Sequence, residues 1–282
     1  MTPLPDGIHL HREDEHELGS FKWRGASAVL DALRPDSVVT ASTGNHGAAT
    51  AWAAKQASIR AIVFVPRDAS AAKVALIQAQ GAELYRVGAD MDEAKAAARD
   101  YAAEHGLYLF EDGNEPAQFD GYEAIGDALL DEVPEPGAVV VPVGNGALAI
   151  GVFRAVARRA PAALRIAVAA AEAPAMWESW RAGTPVDSDR AATFADGLAV
   201  RVAIPLAVVE LNPLVQRFEL LDEAELEAGV RAYAEAGIRV EGAAAAPLAL
   251  ALRESLPRPT VLIVTGRNID DTLYNRLLSD RT

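Results

Sequence analysis

The sequence predicts an α/β fold of two domains, each a parallel sheet sandwiched between helices in three layers, with the smaller domain inserted in the larger. Three observations carry that expectation. Short β-branched or apolar runs alternate with alanine-rich amphipathic stretches along most of the chain, the pattern of right-handed βαβ units. The run Ala138-Val139-Val140-Val141 is wholly apolar, as suits a strand buried on both faces. The alternation pauses at Asp112-Gly113-Asn114-Glu115-Pro116, which marks a domain boundary.

In order along the chain, Ile8-His9-Leu10-His11 alternates apolar and polar residues and predicts a half-buried strand. A helical pattern runs from Trp23 to Leu33 and stops at Arg34-Pro35. Strands are expected at 38–41, 61–65, 83–87 and 107–110, with helices at about 47–57, 71–80 and 91–104 between them. The smaller domain then spans 35–114, and the larger comprises 1–34 and 115–282. The larger one continues with a helix at 122–132, the strand at 138–141, a helix at 147–160 and a strand at 165–170, and residues 183–200 read as irregular. Asp222 and Glu225 predict a capping box opening a helix. A buried strand at 260–264, a loop from Thr265 to Asn268 and a last helix close the pattern.

Composition narrows the function. With 282 residues, 51% of them hydrophobic and 23% charged, the chain has room for a sizeable core. Its formal net charge of -14 argues against a nucleic-acid footprint and against docking on an anionic membrane, and favours a small-molecule substrate. Cysteine is absent, so disulfides, thiolate nucleophiles and cysteine zinc sites are excluded, and a reducing cytoplasm fits. The start Met1-Thr2-Pro3-Leu4-Pro5-Asp6 lacks the basic and apolar regions of a signal peptide. The apolar span 137–152 is interrupted by Pro142, Gly144, Asn145 and Gly146, so it reads as strand, loop and helix and not as a membrane span. His9, His11 and His16 lack a supporting carboxylate spacing, and solvated edge and loop positions are expected for them.

The candidate chemistry lies in four places. Lys22 stands between Phe21 and Trp23 in Gly19-Ser20-Phe21-Lys22-Trp23-Arg24-Gly25-Ala26. Packing between two aromatic rings would desolvate its amine and leave a neutral nucleophile for a carbonyl; the competing reading is a lysine snorkelling at a helix start. Ser42-Thr43-Gly44-Asn45-His46-Gly47 joins a buried strand to a helix, at the strand end where parallel sheets bind ligands, and suits a carboxylate. Gly144-Asn145-Gly146-Ala147-Leu148 has the same placement and could converge N–H groups on a phosphate, although it matches neither the Walker nor the dinucleotide pattern. Thr265 ends the last buried strand.

Taken together with Ala195-Asp196-Gly197, Glu241-Gly242-Ala243-Ala244 and Thr265-Gly266-Arg267-Asn268, these motifs resemble, in order, those of pyridoxal-phosphate enzymes of the tryptophan-synthase-β fold (fold type II). Within that group the pattern is most similar to threonine and serine dehydratases and to serine racemase. The resemblance implies β-elimination from a small hydroxy-amino acid, giving a 2-oxo acid and ammonia, with pyridoxal 5'-phosphate in the crevice between the domains. It implies that Lys22, after Phe21, is the covalent anchor of the cofactor and the base for the α-proton. It gives Asn45 the cofactor's phenolic oxygen, and Ser42, Thr43, Gly44, Asn45 and His46 the substrate carboxylate. Gly144, Asn145, Gly146, Ala147 and Leu148 fall to the phosphate, Thr265 to the pyridine nitrogen and Glu241 to the ring's edge. It also implies a Mg2+ or Ca2+ site at Glu172 and Glu178, a homodimer and a cytoplasmic location.

Some positions depart from the family pattern. Asn145 stands in a run that is usually four glycines in dehydratases, and is closer to threonine synthases, so a replacement reaction is one alternative. Thr43 occupies the position of the racemases' serine acid/base, so racemisation is another. Arg267 replaces a usual glycine and would either clamp a second anionic group of the substrate or pair with Asp270 or Asp271. The segment before Lys22 is short and no C-terminal regulatory domain is expected, which keeps a silent cofactor- or amino-acid-binding protein as a further alternative.

Overall fold

The computed structural model of the chain describes residues 4–279. In chain order its elements begin with β1 (Ile8–Arg12), α1 (Lys22–Leu33), β2 (Ser37–Ala41), α2 (Asn45–Ala57), β3 (Arg60–Val65), α3 (Ala71–Gln78), β4 (Glu83–Arg86), α4 (Met91–His105) and β5 (Tyr108–Leu109). They continue with α5 (Pro116–Glu132), β6 (Ala138–Pro142), α6 (Ala147–Arg159), β7 (Leu164–Ala170), α7 (Ala175–Ala182) and α8 (Pro205–Leu211). The last are β8 (Arg217–Leu221), α9 (Glu223–Glu235), α10 (Gly242–Arg253), β9 (Thr260–Val264) and α11 (Asp271–Ser279).

The chain packs as two compact units, one formed by residues up to Phe21 with those from Tyr122 onward, the other by Lys22–Gly121. The smaller unit is wider than the span 35–114 read from the sequence, because α1 packs along α2 and goes with it.

The smaller unit carries a parallel sheet in the order β4-β3-β2-β5. Strand alternation sends side chains to both faces. On one face Val63 and Val65 pack with Ala48 and Ala51 of α2 and Val74 and Ile77 of α3; on the other, Val39, Ile62 and Phe64 pack with Ala98 and Ala102 of α4. The alanines let these helices lie close to the sheet. α4 is bounded as its sequence requires: Asp90 accepts from Glu93 N at its start, and Gly106, with φ 64°, ends it in the left-handed region.

The larger unit carries a parallel sheet in the order β1-β9-β6-β7-β8, with Ile8 opposite Thr260 and Ala138 opposite Leu164. Val140, Ile166, Val168, Leu262 and Val264 share a core with α10. Their alternate neighbours Val139, Val141 and Ala167 are equally buried, and α6 packs on β6 and β7. The three-layer arrangement expected from the sequence is therefore present in each unit.

Several local expectations hold. The capping box is formed: Asp222 Oδ1 accepts from Glu225 N at 2.8 Å and Glu225 Oε2 from Asp222 N at 2.8 Å. The interrupted apolar span is strand β6, a loop and α6. Among the described residues no helix is long and apolar enough to cross a membrane. α5 starts at Pro116, six residues ahead of the expected Tyr122; a proline at the first helical position has no N–H to lose there. α10 contains Pro247, which leaves the Ala243 carbonyl without its usual donor and hides the helix from a sequence reading.

One expectation is overturned. His11 is not solvated but 6% exposed, with Nε2 3.2 Å from Glu13 Oε1 and Nδ1 3.3 Å from Glu132 Oε1. Glu132 also meets His9 Nε2 at 3.0 Å, so one carboxylate on α5 serves two histidines of β1. Burial pulls the His11 pKa down, but Glu13 and Glu132 outweigh it and leave it raised.

Candidate active site

In the smaller unit Lys22 opens α1, and its surroundings differ from the aromatic sandwich the sequence suggests. Successive helical residues point about 100° apart, so the neighbours of Lys22 face elsewhere. Phe21 packs on Tyr122 with the rings tilted by 55° and their centroids 5.0 Å apart, and Trp23 meets the edge of Trp52 at 5.8 Å. Lys22 Nζ donates instead to the carboxylate of Asp112, whose Oδ2 accepts at 2.6 Å. The side chains are 14% and 26% exposed.

Asp112 follows β5, and its other oxygen accepts from Gln118 Nε2 at 2.7 Å. His46 Nδ1 lies 3.6 Å from Asp112 Oδ1. Burial alone would raise the Asp112 pKa, but Lys22 and His46, with hydrogen bonds from Lys22 and Gln118, hold it far below the usual carboxylate range. In sequence Asp112 reads only as part of a boundary turn. An aspartate before a glycine in a loop carries no signal of its function until Lys22 stands beside it.

The loop after β2 is shaped by its own residues. Ser42 Oγ accepts from Gly44 N at 3.1 Å, and Gly47 must be glycine because a Cβ there would lie 2.7 Å from Ser42 O. A Cβ on Gly44 would meet nothing within 4 Å, so this side of the loop is open. Thr43 precedes it, and Asn45 is the first residue of α2. His46 lies beneath the loop at 6% exposure, edge-on to Phe110 at 4.7 Å, with Nε2 taken up by Thr40 Oγ1 at 3.1 Å. Burial lowers its pKa more than Asp112 raises it, so the ring is neutral at pH 7.

In the larger unit, motifs far apart in sequence converge. A Cβ on Gly144 would fall 2.2 Å from Gly197 O, one on Gly197 would fall 2.8 Å from Ala243 Cβ, and one on Gly266 would fall 2.7 Å from Glu241 Oε1. Glu241 N donates to Gly266 O at 3.0 Å, and Phe21 N to Thr265 O at 3.0 Å. Asn145 Oδ1 accepts from Ala147 N at 3.1 Å, and Gly146, with φ 94°, turns the chain into α6, whose first turn presents the N–H groups of Leu148 and Ala149. Thr265 Oγ1 is buried and has no hydrogen-bond partner among the described residues.

The family model described as pyridoxal-phosphate dependent enzyme matches residues 2–266. The chain belongs to that family. The L-threonine ammonia-lyase of Geobacter sulfurreducens is 32% identical over 93% of this chain and 67% of its own length. The processed form of threonine deaminase isoform 2 from Solanum lycopersicum superposes with a TM-score of 0.92 at 25% identity, over 99% of this chain and 87% of that one. Maize serine racemase gives a TM-score of 0.89 at 28% identity, over 96% of this chain and 87% of that one. The fold is accordingly the tryptophan-synthase-β fold.

The residues present fit this family's cofactor. The backbone cradle at Gly144, crowded by Gly197, with a helix N-terminus beyond it, suits a phosphate. The unpartnered hydroxyl of Thr265 suits a ring nitrogen, since buried polar groups are ordinarily paired. A lysine amine suits the carbonyl carbon.

The acidic pair suggested for a cation is looser. Glu172 Oε2 lies 3.9 Å from Arg190 Nη1, and Glu178 is in the first turn of α7. Among the described residues no group of three or more His, Cys, Asp or Glu side chains could hold a metal. Among the described residues Arg267 pairs with neither Asp270 nor Asp271; its Nη2 donates to His16 O at 3.5 Å. Asp271 is taken by Arg239 at 2.6 Å, while Asp270 Oδ1 accepts from Thr272 N and Leu273 N at the start of α11.

Proposed function

We propose that this enzyme is an ammonia-lyase that converts a small hydroxy-amino acid, threonine or serine, into the 2-oxo acid and ammonia. When bound, pyridoxal phosphate supplies an electron sink for the substrate's α-carbon. Lys22 anchors it and then takes the α-proton. Asn45 serves the phenolic oxygen, Gly144–Leu148 the phosphate and Glu241 the ring's edge. Ser42, Thr43, Gly44 and Asn45 hold the substrate carboxylate on the open side of their loop, and His46 supports them from beneath.

The observation that carries the reading is the buried, unpartnered hydroxyl of Thr265. A hydroxyl supplies no negative charge to a pyridine nitrogen, so the sink is a restrained one. Elimination needs no more, because the β-hydroxyl departs as negative charge develops at the α-carbon. The enamine released by loss of water hydrolyses to the 2-oxo acid and ammonia. The L-threonine ammonia-lyase and threonine deaminase relatives support the same reaction.

A racemase is the second reading, favoured by Thr43, which stands where racemases carry a hydroxyl acid/base, and by the likeness to maize serine racemase. A cytoplasmic homodimer belongs to the proposal, and sedimentation checks the assembly. A Mg2+ or Ca2+ ion at Glu172 and Glu178 also belongs to it; a Tm unmoved by either ion or by a chelator removes that part. The main test is a panel of L- and D-hydroxy-amino acids followed for ammonia, 2-oxo acid and the opposite enantiomer. Threonine or serine is expected to yield ammonia and 2-oxo acid in equal amounts; inversion without ammonia would replace the lyase by the racemase. Borohydride should fix the cofactor on the peptide containing Lys22.

A further inference from the structure

We propose that Asp112 is the positioning residue of Lys22: its carboxylate fixes the lysine nitrogen in place and stabilises every positively charged form that this nitrogen takes. The inference rests on the reading of Lys22 as anchor and base. It starts from the 2.6 Å contact between Nζ and Oδ2, made across 90 residues of sequence.

The carboxylate is itself held. Gln118, fully buried, donates from Nε2 to Asp112 Oδ1 at 2.7 Å and accepts from Gly113 N at 2.7 Å through Oε1, so one amide fixes both the acid and its turn. An acid anchored at one oxygen presents the other in a set direction, and an ion pair partly withdrawn from water is stronger than an exposed one. Other charged and titratable groups acting here include His46, 3.6 Å from Asp112 Oδ1, and Lys95, which acts on His46.

The consequence for the reaction follows atom by atom. When Lys22 takes the α-proton, the Cα–H bond breaks, an N–H bond forms at Nζ and the electron pair stays with the substrate. That pair expels the β-hydroxyl, which leaves as water with the proton that Lys22 took and so returns the lysine to its amine. Between these events Nζ is an ammonium, and Asp112 favours that form and keeps the amine from swinging to solvent. With the cofactor bound, the same carboxylate would favour a protonated nitrogen at Lys22.

The test is a pH titration of visible absorbance for enzyme loaded with pyridoxal phosphate, in the parent, Asp112→Asn and Asp112→Glu. Circular dichroism and borohydride fixation at Lys22 first establish that each variant is folded and loaded; if Asp112→Asn does not fold, Asp112→Ser replaces it. Loss of a carboxylate at ion-pair distance should lower the midpoint of the titration by about 1 to 3 pH units. Asp112→Glu, which keeps the charge, should lie nearer the parent than the neutral variants do. An unchanged midpoint in the neutral variant would overturn the inference. Product is measured in the same samples. A shifted midpoint without 2-oxo acid leaves Asp112 in its role and removes the lyase reading, whereas 2-oxo acid with an unshifted midpoint does the reverse.

Discussion

Thr40 decides which nitrogen of His46 carries the proton. Its hydroxyl donates to Phe110 O at 2.8 Å, so it can only accept from the ring, and Nε2, 3.1 Å away, must be the N–H. Nδ1 is left toward Asp112. Thr40→Val would strip both partners of a buried hydroxyl, and the expected loss is about 1 to 3 kcal/mol in urea unfolding.

The pH dependence of His46 follows from its lowered pKa, set first by burial and opposed by Asp112. The unfolded ring, near 6.5, binds a proton that the folded one resists, so its contribution to stability is whole above 6.5 and lost as pH falls through the folded value. As pH falls below 6.5 the parent should lose stability relative to His46→Gln, which lacks the titrating ring; a difference between the two that does not change with pH would show that the buried ring does not resist the proton.

His11 has the opposite sign. Its folded pKa is raised, because Glu13 and Glu132 overcome the burial that would lower it. Its contribution is whole below 6.5 and lost as pH rises through the folded value. His11→Gln should therefore cost more stability at pH 6 than at pH 8, and equal losses at both would show that Glu13 and Glu132 do not act on the ring.

Thr265→Val separates stability from cofactor binding. The hydroxyl is buried without a partner, so its loss should leave the cofactor-free Tm unchanged or higher. Affinity for pyridoxal phosphate should drop by about 0.5 to 1.5 kcal/mol, one hydrogen bond. Equilibrium titration of the cofactor alongside thermal melting reads both.

Two glycines give a controlled pair. Gly144→Ala places a methyl group 2.2 Å from the backbone oxygen of Gly197, and the backbone must shift. Overpacking of this kind costs about 1 to 3 kcal/mol, read as a lower Tm together with weaker cofactor binding. In Gly44→Ala the new carbon meets nothing within 4 Å, so stability should stay within about 0.5 kcal/mol while KM for the amino acid rises.

Much of this protein is determined by local sequence. The all-apolar Ala138–Val141 run, the Asp222 and Glu225 cap, and the loops at Ser42 and Gly144 following their strands are legible because periodicity, capping and turn chemistry act over a few residues. Their order along the chain is enough to indicate the family. α7, α8, β8 and α10 are not legible in the sequence: the first two are short, β8 alternates charges with its apolar residues, and Pro247 interrupts the pattern of α10. The buried His11 escaped for another reason, since Glu132 lies on a distant helix. The surroundings of Lys22 were decided in the same way. Phe21 and Trp23 flank it in sequence, but the helical turn sends them to Tyr122 and Trp52, and Asp112, 90 residues away, reaches its nitrogen. Adjacency along a chain sets direction only within a turn, whereas the charged group that meets a buried amine comes from whichever segment the packed sheet and helices carry to it.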